Sequence, residues 1–112
     1  MPLTNVCASN QFGIANQTDV FFFDNVGALR VAWATEGWNP PIAISPSSIA
    51  PHGAAVAVCQ NFATANQTDV FFVNSAGAVC VVWNDASGTW HGPTTLTATG
   101  YAPPGAPLAT RP

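Results

Sequence analysis

A chain of 112 residues and 11.6 kDa has room for a single hydrophobic core. With 48% hydrophobic and only 6% charged residues, it is neither a disordered nor a charge-solvated chain. Arg30 and Arg111 are the only basic residues and the formal net charge is −3. Phosphate backbones and anionic membranes draw their affinity from clustered Lys and Arg, so neither nucleic acid nor a membrane surface is expected as a partner.

Taken in chain order, the first feature is VCASNQF (6–12), a short small-residue segment that has a counterpart in VAVCQNF (56–62). No basic stretch followed by an apolar run comes after Met1, so a secretory signal is not expected in this sequence, and the compartment is left open. Next comes NQTDVFFFDNVGALRVAW (16–33), which recurs without a gap as NQTDVFFVNSAGAVCVVW (66–83), with eleven identities in eighteen positions. GWNPPIAI (37–44) then faces TWHGPTTL (89–96) after a two-residue insertion, and IAPHGAAVAV (49–58) faces YAPPGAPLAT (101–110). The chain therefore reads as two units of about fifty residues, approximately 3–52 and 53–104. A tail at 105–112 overlaps the start of a third unit.

Each unit carries four strand signals and no capped helical period. In the second unit these are GAAVAVCQNF (53–62), TDVFFVN (68–74), AVCVVW (78–83) and GPTTLTA (92–98). DNVG (24–27) and NSAG (74–77) supply tight turns with Gly where positive φ is inexpensive. Apolar runs of strand length, VFFF and VCVVW, suit strands covered on both faces, and none approaches a membrane-spanning length. Four short strands per repeat predict an all-β fold, a β-propeller with two four-stranded blades per chain. An eight-stranded sandwich is the alternative architecture. Two blades leave apolar faces uncovered, so closure of the ring by a homo-oligomer is expected. A trimer of six blades is the first choice and a tetramer the second.

The chemistry on offer is sparse. His52 and His91 lie on different connections, and no calcium loop, HExxH or GxSxG motif is present. Catalysis is not expected, nor is a metal or other cofactor. Cys7, Cys59 and Cys80 lack metal-ligand spacing and read as reduced, apolar-like thiols. Asp19 and Asp69 open the second strand of each unit, where accepting backbone or hydroxyl hydrogen bonds that lock the blade is the expected role. Trp33 and Trp83 share alternation positions with Leu29 and Val31, and with Val79 and Val81, and read as packing residues.

Trp38 and Trp90 stand just before the fourth strand in TEGWNPP and SGTWHGP, the same place in both units. Plugging the gap between outer strands is one role for them; a platform for the C–H face of a sugar ring is the other. In a four-stranded meander the first–second and third–fourth connections share one rim. That rim gathers Asn16, Gln17, Glu36, Trp38 and Asn39 from the first unit, and Asn66, Gln67, Asp85, Trp90 and His91 from the second. Amides and indoles with little net charge suit a neutral saccharide. The expectation is a multivalent, non-catalytic, lectin-like glycan binder; a structural or protein-interaction propeller is the alternative. The opposite rim, with His52 and Tyr101, is the second candidate surface. Each NQT also has the form of an N-glycosylation sequon, but its Asn reads as loop chemistry.

The repeat plan resembles the small-repeat β-propeller lectins, most nearly the two-blade, fucose-binding bacterial lectins of the Aleuria type, which form six-bladed trimers. That family binds sugar with an Arg on the second strand, a Glu on the third and a Trp in the following loop. The resemblance implies sugar contact by Trp38 and Trp90. The second strand here carries Asp19 and Asp69 where that Arg falls, and the third carries Arg30 and Cys80 where the Glu falls. The tachylectin and tectonin types are similar in repeat length.

Overall fold

A computed structural model of the chain describes residues 6–10, 16–61, 64, 66–85 and 89–109. Eight strands follow in order: β1 (Val6–Asn10), β2 (Thr18–Phe23), β3 (Leu29–Ala34), β4 (Trp38–Ala43), β5 (Ala57–Gln60), β6 (Thr68–Val73), β7 (Val79–Asn84) and β8 (Trp90–Thr95). They form two antiparallel meanders, β1-β2-β3-β4 and β5-β6-β7-β8, which are the two expected blades. No helix occurs among the described residues.

The two registers repeat position for position. Asp19 faces Ser9 and Trp33, as Asp69 faces Cys59 and Trp83. Both blades shift register at the same place, between Val31 and Trp33 and between Val81 and Trp83. This irregularity lets the outer strand pair beyond the expected start at residue 92. Trp38 and Trp90 are therefore the first residues of β4 and β8, not loop residues. The first strand of the second unit is shorter than expected, because pairing begins only at Ala57.

Each hairpin is closed by its own side chain. Asp24 Oδ1 accepts the N–H groups of Val26 and Ala28, and Asn74 Oδ1 accepts those of Ala76 and Ala78. Gly27 and Gly77 take φ of 74° and 78°, the left-handed conformation a β-carbon disfavours. The connection after each blade folds back over its hairpin: Ile49 donates to Gly27 O at 3.1 Å, and Tyr101 donates to Gly77 O at 2.9 Å.

The core lies between the blades. Residues 21 and 23 of β2 and 29 and 31 of β3 point one way, and 70 and 72 of β6 and 80 and 82 of β7 point back at them. Phe23 meets Phe72 edge-on at 5.1 Å, and Phe21 meets Trp90 edge-on at 5.7 Å. Burying each such ring stabilises the fold by about 1.5–3 kcal/mol, and the edge-to-face geometry adds to it. One side of each apolar run packs in this junction, whereas Val20 and Phe22, on the other side of β2, are only half-buried.

Candidate functional site

Pairing of Asn10 with Thr18, and of Ala34 with Trp38, puts the first–second and third–fourth connections of the first blade at one end of its sheet. The second blade does the same. All ten sequence-selected residues are on this rim, but they divide into five pairs with different surroundings.

Asn16 and Asn66 are exposed and sit at φ of 63° and 64°. Asn tolerates this left-handed conformation, so the loop needs them for its backbone while their amides remain outward. Gln17 and Gln67 do local work: each donates from Nε2 to the carboxylate two residues on, Asp19 Oδ1 and Asp69 Oδ1, at 2.8 Å. Both aspartates accept hydrogen bonds as expected, but these come from side-chain amides where backbone or hydroxyl donors were expected. Asp69 is further held by Asn61, whose Nδ2 donates to Oδ2 at 2.8 Å. Asp19 is only 1% exposed, and among the described residues its Oδ2 has no hydrogen-bond partner. Burial pushes the Asp19 carboxyl above its ordinary value, and the Gln17 bond opposes that only in part.

The two tryptophans part company. Trp90 is half-buried and packs edge-on against Phe21 of the other blade, whereas Trp38 is 64% exposed. The expectation of two alike, partly exposed platforms is corrected in this respect. Trp90 is covered because the first blade lies beside it; no described residue covers Trp38 in the same way. Asn39 and His91, next in each strand, point to the opposite face. Asn39 Nδ2 donates to Trp33 O at 3.1 Å, and His91 stacks on Trp83 at 5.5 Å. Glu36 and Asp85 are exposed, and Asp85 Oδ2 lies 3.3 Å from His91 Nε2.

Among the described residues of this rim, nothing resembles an activated nucleophile. Burial raises the thiol pKa at Cys7, Cys59 and Cys80, with the Asp69 charge adding to it at Cys59; all three are free. Among the described residues, no group of three or more His, Cys, Asp or Glu side chains is arranged to hold a metal ion. The opposite rim carries a cleft of about 550 Å³ beside the first hairpin, lined by Asn25, Ser48, His52 and Ser75 among others, with Tyr101 exposed in the connection of the second unit.

The sequence reading missed the buried oxygen of Asp19. The signal was available in the uncharged neighbourhood of the repeated carboxylate, but only the fold shows which oxygen is left over.

No protein-family model and no curated relative matches the chain. Among solved structures, it is similar to the BP39L lectin from Burkholderia pseudomallei, with 51% sequence identity and a TM-score of 0.92. The match covers 95% of this chain but 30% of the lectin, so this chain spans under a third of that protein's length. In sequence and blade plan alike, the chain is similar along nearly its whole length to part of a lectin, and it has the two-blade fold of a small-repeat lectin propeller.

Proposed function

We propose that the chain is a non-catalytic, multivalent lectin module that binds neutral saccharides at the rim carrying Trp38 and Trp90. The observation that carries this reading is the recurrence of one constellation in both blades: an indole at the head of the outer strand, beside an amide-rich loop whose Asn is held outward. An indole offers its face to the C–H side of a pyranose, and amides and carboxylates take hydroxyls. In this reading Asn16, Asn66, Glu36 and Asp85 make the polar contacts, Asn39 and His91 flank the indoles, and Gln17 and Gln67 act chiefly by positioning Asp19 and Asp69. The ring is closed by further blades, in a trimer of six blades. Several shallow sites acting together raise avidity by ~10²–10⁴ over one site.

The similarity to a lectin supports saccharide binding over the alternative of a purely structural propeller. The test is intrinsic tryptophan fluorescence titrated with free monosaccharides, which reads single-site occupancy and does not depend on avidity. Wild type is expected to give saturable shifts with at least one neutral sugar, and Trp38→Ala with Trp90→Ala to remove sugar capture on a glycan array. Full binding by the double variant, or none by wild type, overturns the reading.

A further inference from the structure

On the rim opposite Trp38 and Trp90, a cleft of about 550 Å³ lies over the junction between the blades. Asn25 and Val26 of the first hairpin line it, with Ser47, Ser48 and His52 of the connection after β4 and Ser75 of the second hairpin. The volume falls within the roughly 300–1,000 Å³ of small-molecule sites. Its walls are tied together. Ser75 donates from its N–H to Ile49 O at 2.9 Å and from its hydroxyl to Ser48 O at 3.3 Å. Ser48 N–H in turn donates to Val26 O at 2.7 Å, so the connection, the first hairpin and the second hairpin hold one shape.

The repeat shows that the fold does not require this chemistry. After the second blade the backbone takes the same course: Gly100 N–H donates to Ala76 O at 2.9 Å, as Ser48 N–H does to Val26 O. Yet Gly100 and Pro104 stand where the cleft has Ser48 and His52. Gly100 has φ of 79°, and Ser48 takes nearly the same left-handed conformation, at 62°, which a β-carbon disfavours. Serine there adds a hydroxyl against the backbone preference, and His52 adds an imidazole where a prolyl ring serves the same turn. Among the described residues, the side chains of Asn25, Ser47, Ser48 and His52 are engaged in no hydrogen bond. On the Trp-bearing rim, by contrast, Gln17, Gln67 and Asn39 are bonded to the protein itself.

The lining also selects a class of ligand. No charged side chain lines the cleft, and nearby Asp24 is taken up by Arg30 and by the N–H groups of Val26 and Ala28. An anion would find no cation there, and a metal ion no carboxylate. Hydroxyls, an amide and an imidazole both donate and accept, as the hydroxyls of a polyol do, and the exposed Val26 offers an apolar wall to C–H groups. We propose that this cleft is a second binding site for a neutral saccharide, one per chain and separate from the Trp-bearing rim. The kind of ligand rests on the lectin reading above, whereas the residues are different ones. Six-residue strands set the two rims roughly 17 Å apart, too far for one monosaccharide to touch both. A module with sites on opposite rims holds two glycans at once.

The test is a heteronuclear NMR titration of the full chain with glucose, galactose, mannose and N-acetylglucosamine, each up to about 50 mM to reach millimolar Kd values. At least one sugar is expected to give saturable amide shifts at residues 25–27, 47–52 and 75. Ser48→Gly with His52→Pro, which installs the second unit's residues, is expected to weaken binding at the cleft at least about tenfold and to leave shifts at the Trp-bearing rim unchanged. Ser47→Ala with Asn25→Ala, which truncates exposed side chains only, is expected to act in the same direction. No cleft shift with any of these sugars on folded protein overturns the proposal, as do cleft shifts that survive in both folded variants. Cleft shifts with inorganic phosphate and none with a sugar overturn the ligand class. Cleft shifts that persist in Trp38→Ala with Trp90→Ala support the site, and their absence there overturns its independence. Rim shifts without cleft shifts reject this site alone, and cleft shifts without rim shifts reject the rim reading alone.

Discussion

Asp19 is the residue at which burial and charge conflict most openly. Its carboxylate is buried and accepts one bond from Gln17, its Oδ2 has no partner among the described residues, and burial raises its pKa above the ordinary value of about 3.9. A raised folded-state pKa means that this group favours the fold most when protonated. Its contribution is fully present below about pH 4 and is lost as pH rises through the folded value. Asp24 has the opposite sign: the Arg30 guanidinium, then the N–H of Ala28, hold its carboxyl low, so its contribution is lost as pH falls. Asp19→Asn is expected to weaken the decline in stability as pH rises above about 4, as read by thermal melts over a pH series. A decline unchanged in the variant would remove Asp19 as its source.

At the scale of the strand and turn, the same residue type plays different parts in the two blades. Trp90→Ala is expected to destabilise the chain by about 2 kcal/mol, since it removes a half-buried indole packed on Phe21. Trp38→Ala, which removes an indole that is 64% exposed, is expected to change stability by less than about 0.5 kcal/mol. Urea unfolding of the two variants checks the contrast, and equal losses would contradict it. Gly77 is set by backbone: a β-carbon there would lie 2.5 Å from Ala102 O at a φ of 78°. Gly77→Ala is expected to cost about 2 kcal/mol or more by the same measurement. Much of this was legible in the sequence. The repeat announced the blades, DNVG and NSAG announced the hairpins, and VFF announced the apolar middle strands, one side of which packs between the blades. The exact ladder of the outer strand was not legible, because Trp-Asn-Pro-Pro and Trp-His-Gly-Pro carry loop composition. They pair only because a register shift at residues 31–33 and 81–83 admits them. The unequal burial of Trp38 and Trp90 was hidden for another reason: two nearly identical segments differ only in whether a neighbouring blade is beside them.

For the whole molecule, one idea connects these observations: a repeat unit whose two faces are complementary to each other. One junction is satisfied within the chain, and the unmatched faces are those a further blade would cover. The solved lectin that resembles this chain is roughly three times as long, room enough for more such units in a single polypeptide. Neutral saccharide recognition at the Trp-bearing rim is the central claim, and calorimetric titration of wild type with a panel of neutral mono- and disaccharides tests it most directly. The account predicts saturable heat for at least one sugar, near two sites per chain, with an affinity that changes little between about 0.05 and 0.5 M salt because no ion pair carries it. No heat from any sugar on a folded protein, or an affinity that collapses as salt is raised, would contradict it.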